Sequence, residues 1–150
     1  MATTQEIKAL RDETGLSIME CRKALEKAGG DKEKAIAILK EKGREFAAKK
    51  SGRTLGAGVV VSYIHSGETV GVLLELLSET DFVAKNPEFK AIARDIAMHI
   101  AAMKPLDNQE LLEQPFIKDP SQKIGDLVNG AVQKFGERTE VGHFSRFSIN

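Results

Sequence analysis

The stretch GVVVSYIHSGETVGVLLELL, residues 58–77, decides the fold class, because here a chain of helical periodicity turns to β. β-Branched, aromatic and leucine side chains dominate both halves, and SGE at 66–68 supplies the glycine that a short hairpin loop requires. The apolar runs VVV and VGVLLELL fall far short of the ~20 residues of a membrane helix. No membrane role is expected.

On the N-terminal side the pattern is helical. Ile7 and Leu10 share a face; TGLS at 14–17 breaks the chain, with Ser17 as the next N-cap; Ile18, Cys21, Leu25 and Ala28 follow at three-to-four-residue spacing. GGD at 29–31 ends that helix and starts another with Asp31 as N-cap, whose buried stripe is Ala35, Ile36 and Leu39. Helices this short are not stable alone, so the three must pack on one another. GREFAAKKSGRTLGAG, 43–58, reads as a helical extension running into a linker. The expected boundaries are a helical domain at 1–45, a linker at 46–56 and a core at 57–150.

On the C-terminal side lies PEFKAIARDIAMHIAAM, in which Phe89, Ile92, Ala93, Ile96, Ala97, Ile100 and Ala101 fall on one helical face. A polar, proline-punctuated segment follows, with a turn of helix at 107–113. A second amphipathic helix then runs through Ile124, Leu127, Val128, Ala131, Val132 and Phe135, and EVGHFSRFSI closes as a third strand. The expected fold is α+β: a three-helix bundle, then a three-stranded antiparallel sheet with helices on one face. The sheet's other face needs a partner or water-tolerant side chains.

Composition narrows the function. Hydrophobic residues make up 41% and charged residues 29%, ordinary globular values, and the formal net charge is zero. That removes the long-range cationic field of nonspecific nucleic-acid binding. Residues 1–53 carry +4 and residues 54–150 carry −4, so the two regions present different surfaces. The one cysteine closes no intrachain disulfide and the N-terminus lacks a signal-type apolar core, so the chain reads as cytoplasmic, or organellar after loss of a leader.

Chemical sites are sparse. Cys21 with His65, His99 and His143 has neither nucleophile–base nor zinc-ligand spacing; Cys21 falls on the core stripe and the histidines at surface or edge positions. Gly56 and Gly58 precede a strand instead of opening a helix, so they form no dinucleotide loop. Lys49, Lys50 and Arg53 read as a solvated linker face. No catalytic residue, metal ligand or cofactor is expected.

One motif resists a dull reading. In SETDFVAKNPEF, 78–89, Ser78 and Asp81 match a capping box, and Asn86-Pro87 starts a fresh helix, leaving about one turn between. Phe82 there either plugs the local core or projects toward another protein. Burial is the default for an aromatic ring, so spacing alone favours the plug.

The run IKALRDETGLSIMECRKALEKAGGDKEKAIAILKEKG, the segment SETDFVAKNPEF and the closing LLEQPFIKDP with FGERTEVGHFSRF together resemble the translation elongation factor Ts family across nearly the whole chain. The resemblance implies a guanine nucleotide exchange factor that grips the GTPase elongation factor Tu and expels GDP, acting by binding and not as an enzyme. It implies a ubiquitin-associated-like N-terminal module contacting the partner through Arg11, Ile18 and Met19. It also implies a wedge of Thr80, Asp81, Phe82 and Val83, with Phe82 entering between two partner helices and Asp81 disturbing the bound magnesium. Family members usually carry a longer core before LLEQPF, whereas here KPLDN joins Met103 to Gln109 almost directly. Short relatives compensate by pairing two copies, so a homodimer is expected, with no direct nucleic-acid or membrane partner. A ubiquitin-associated-type adaptor would instead bind through residues 1–45 alone, and a hydrolase using Asp81 with His99 or His143 lacks any oxyanion loop.

Overall fold

The computed structural model describes residues 1–149. Three helices open it: α1 (Thr4–Thr14), α2 (Ile18–Lys27) and α3 (Lys32–Lys50). Each begins where a short polar side chain accepts an otherwise unpaired N–H. Thr3 accepts from Glu6 N–H, Asp31 accepts from Lys34 N–H, and Ser17 forms a full capping box with Glu20. Ile7, Leu10, Leu16, Cys21, Ala24, Leu25, Ala35 and Leu39 meet in one core. Ile18 does not join the stripe predicted for it; that stripe starts at Cys21, and Ile18 is 52% exposed. α3 continues unbroken to Lys50, so the helical extension expected beyond Gly43 takes up residues 46–50 and only residues 51–56 connect to the sheet.

β1 (Ala57–Ile64) and β2 (Val70–Ser78) form the hairpin, with Val61 opposite Leu74, and β5 (Glu140–Ser148) pairs antiparallel with the other edge of β2, giving the order β1-β2-β5. Alternation along β2 sends Val72, Leu74, Leu76 and Ser78 inward and Leu73 outward. α5 (Pro87–Met103) covers the inner face, and Phe89, Ala93, Ile96, Ala97 and Ile100 lose all their accessible surface there. Asn86 caps α5 and Pro87 opens it, as its sequence predicts. α6 (Asn108–Glu113) and α7 (Ile124–Phe135) close the same core through Leu111, Ile124 and Val128.

A small second sheet was not legible from the sequence. β3 (Pro115–Phe116) and β4 (Asp119–Lys123) pair within the segment read as polar and irregular. Two residues are too few to show a period of two, and only the buried Phe116 marks the hairpin.

The bundle is joined to the sheet domain through α7. Gly43 of α3 is buried where α3 crosses α7, close to Asn129 and Gln133. Around that crossing Arg44 pairs with Asp126 at 3.1 Å, Lys40 Nζ donates to Ser121 O at 2.8 Å and Gln133 Nε2 donates to Glu20 Oε1 at 3.1 Å.

Two glycines predict opposite responses to alanine. An added Cβ on Gly130, inside α7, meets nothing within 4 Å, so Gly130→Ala gains helix propensity and raises the thermal midpoint by about 2–4 °C. On Gly58 the same atom would lie 2.7 Å from Leu76 O on the neighbouring strand, so Gly58→Ala lowers the midpoint. Calorimetry of both variants checks the pair; equal signs would contradict the packing described.

Candidate partner interface

β2 runs through Ser78, and that strand geometry turns the Ser78 side chain into the sheet domain, where it is fully buried. It is therefore not the cap predicted for it; its hydroxyl donates to Thr80 O at 3.0 Å. The short helix α4 (Asp81–Ala84) starts three residues later, with Thr80 as N-cap accepting from Val83 N–H and Asp81 in first place, too early to close a capping box.

Successive residues of a helix point about 100° apart, so the residues of one turn cannot all face the core. Val83 is 5% exposed and Ala84 2% exposed, both in the core, so Phe82 is forced the other way and stands 87% exposed. The plug favoured by spacing alone is thus excluded. Of the four residues assigned to the motif, Asp81 and Phe82 present their side chains to solvent, Val83 anchors the turn, and the Thr80 hydroxyl is taken up by Glu137 and Val83 N–H.

Two acidic residues brace the base of this turn. Glu137 Oε1 accepts from Glu79 N–H at 3.1 Å and Thr80 N–H at 3.0 Å, and its Oε2 accepts from the Thr80 hydroxyl at 2.7 Å. In return Glu79 accepts from Arg138 N–H at 2.5 Å and pairs with Arg53 at 3.6 Å. Sequence reasoning missed Glu137, because nothing local in GERTE links it to a residue 57 positions earlier.

In the bundle, Arg11 is exposed, and Ile18 and Met19 are 52% and 56% exposed on the first turn of α2. The fold links this corner to the Phe82 turn through one side chain. Lys134 of α7 lies over the Gly15 backbone, its ammonium 2.8 Å from where a Cβ would sit, and pairs with Glu88 at the start of α5. Gly15 is three residues before Ile18, and Glu88 six after Phe82. The residues predicted to contact a partner therefore flank one chain of contacts, with Lys134 at its centre. Elsewhere, a cleft of about 770 Å³ between α3, α6, α7 and β5 is lined by charges already paired internally, Arg44 with Asp126, Lys123 with Glu113 and Arg138 with Glu140.

A family profile described as Elongation factor TS matches residues 22–110. The chain is 41% identical to "Elongation factor Ts" of Carboxydothermus hydrogenoformans over an aligned span of 194 residues, covering 99% of this chain and 89% of that protein. It is 40% identical to "Elongation factor Ts" of Thermodesulfovibrio yellowstonii, covering 98% and 96%, and 39% identical to that of Desulforamulus reducens, covering 95% and 87%.

The chain belongs to the elongation factor Ts family. Membership carries a role as an elongation factor in translation. It is a short member: an aligned span of 194 residues against a chain of 150 means the first of these relatives holds at least 44 residues that this one lacks. Among the described residues no helix is long and apolar enough to cross a membrane, and no three His, Cys, Asp or Glu side chains are grouped to hold a metal ion.

Cys21 and His99 are structural groups. Cys21 is fully buried beside the Thr14 hydroxyl, and burial pushes its thiol pKa up, away from a reactive thiolate. His99 corrects the expectation of a surface or edge histidine, for it has no exposed surface. Both ring nitrogens are satisfied: Nε2 pairs with Gln114 Oε1 at 2.9 Å and Nδ1 accepts from Ile117 N–H at 3.2 Å, an arrangement that requires the neutral ring. Burial accordingly lowers the His99 pKa from its ordinary 6.5. Below pH 6.5 the unfolded chain takes up a proton that the folded one refuses, so this contribution is complete above 6.5 and is lost as pH falls toward the folded value. Denaturant midpoints measured from pH 7.5 down to pH 5 should fall in the wild type and flatten in His99→Gln. Identical slopes would contradict the assignment.

Proposed function

We propose that the chain is a guanine nucleotide exchange factor for elongation factor Tu, acting by insertion of Phe82 into an apolar slot of that GTPase. The observation that carries this reading is a phenyl ring 87% exposed on a turn whose next two residues are locked into the core. The backbone that carries the ring is already anchored before binding, so only the side chain's own rotamer freedom is lost when it is buried. Burial of a side chain of this size contributes about 1.5–3 kcal/mol. Asp81, beside it, brings a negative charge toward the partner's magnesium and weakens the balance that holds phosphate and metal. Thr80 and Val83 mount the wedge, while Arg11, Ile18 and Met19 of the three-helix module make a second contact.

No bond is made or broken. If the factor binds the empty partner more tightly than the GDP-bound one, GDP affinity falls by the same factor. Release of a fluorescent GDP from purified elongation factor Tu tests the reading. The wild-type chain should accelerate release, and Phe82→Ala should cut the acceleration by about 10- to 100-fold. No acceleration by the wild type sinks the exchange reading; full activity of Phe82→Ala sinks the wedge.

The same reading includes a homodimer through the outer face of the sheet. Val60, Ile64, Leu73 and Phe147 are 68%, 61%, 50% and 69% exposed there, an apolar surface that a second copy would cover. Sedimentation equilibrium should give twice the chain mass, and Leu73→Glu with Phe147→Glu should give the monomer. A monomer mass for the wild type at every concentration would overturn it.

A further inference from the structure

We infer that Glu137 is a positioning residue for exchange, one that holds the Phe82 turn in its inserting geometry without touching the partner. The inference rests on the exchange function proposed above and adds to it a residue that neither the motif nor the family resemblance assigned.

Thr80 is the hinge of the turn: φ −129° and ψ 156° leave it in extended geometry, and the next residue is helical. Both N–H groups before the helix, those of Glu79 and Thr80, point out of the chain at the end of β2 and need acceptors. One carboxylate oxygen of Glu137 takes both. Its other oxygen takes the Thr80 hydroxyl proton, leaving the hydroxyl lone pairs for Val83 N–H. Glu137 therefore orients the cap as well as the backbone, and the direction of the Phe82 side chain follows from both. Hydrogen bonds to an ionised acceptor are shorter and stronger than neutral ones, and three of them converge here on the two residues that lead into a helix only four residues long.

The base of Glu137 is itself secured. It follows Gly136, the left-handed C-cap of α7, and the next residue, Arg138, donates its backbone N–H to Glu79 and a guanidinium N–H to Arg53 O at 2.5 Å. The end of β2, the α7–β5 turn and the connection from α3 thus form one clasp. Glu137 is only partly buried, so its removal leaves both hydrophobic cores intact.

Two measurements on the full chain test this. The first needs no partner: in Glu137→Ala, amide hydrogen exchange at Glu79, Thr80 and Val83 should speed by about tenfold, with the amides of Ile96 and Ile100 unchanged. The second is GDP release from elongation factor Tu. Glu137→Ala should lose about tenfold of the acceleration. Glu137→Gln should stay within about threefold of wild type, because its carbonyl oxygen still accepts both N–H groups. In a Phe82→Ala background, Glu137→Ala should cost nothing further, the signature of a residue acting through the ring. Unchanged protection at Glu79 and Thr80, or a full additional loss in that background, overturns the inference. Failure of the wild type to accelerate release would strike the exchange function, while the hydrogen-exchange result would still decide whether Glu137 sets the turn.

Discussion

The packing of α5 against the inner face of the three-stranded sheet is the constraint from which the rest of this molecule follows. Phe89, Ala93, Ile96, Ala97 and Ile100 are completely withdrawn from water, and each large side chain among them contributes about 1.5–3 kcal/mol. The ion pairs are of a different order: in several of them both side chains are about half exposed, and such pairs contribute about 0–1 kcal/mol each. Burial therefore sets the position of α5, and the polar contacts at its two ends follow. At the C-terminal end, Arg146 Nε donates to Ala101 O at 3.1 Å and Lys104 adopts the left-handed conformation that ends the helix. At the N-terminal end, the helix start and the strand before it leave room for one turn, and that turn has a single direction in which to point an aromatic ring.

Two groups stand out among the exposed apolar side chains. One group, Phe82 with Ile18 and Met19, flanks the Lys134 contacts where the bundle meets the sheet domain. The other, Val60, Ile64, Leu73 and Phe147, covers the outer face of the sheet. The first consists of side chains on rigid helical turns, the form suited to entering a slot; the second is a broad pleated surface, the form suited to apposition of two copies. A domain this small leaves such groups in water only at a cost to its own solubility. If both proposed roles hold, their separation would let self-association and partner binding proceed without competition.

Much of this was readable in the sequence, and for physical reasons. Periodic burial is written along the chain, so the α5 stripe, the hairpin at 58–77 and the caps at Ser17, Asp31 and Asn86 all appear where their residues predict. What spacing did not reveal was long-range. Ser78 resembles a cap but belongs to a strand; His99 resembles a surface residue but finds Gln114 and Ile117; Glu137 meets Thr80 from 57 positions further along the chain. The outward direction of Phe82 lies between these cases. It follows from the burial of Val83 and Ala84, which a four-residue helix is too short to announce.

Coupling, and not simple adhesion, is the heart of the proposed mechanism, and it has a direct measure. The affinity of the chain for elongation factor Tu can be determined by calorimetry with the partner empty and with GDP bound, for the wild type and for Phe82→Ala. A wedge predicts that the wild type binds the empty form far more tightly, and that Phe82→Ala narrows this ratio by weakening the empty complex most. If removal of the ring weakens both complexes equally, Phe82 is merely a contact, and the mechanism built on it is wrong.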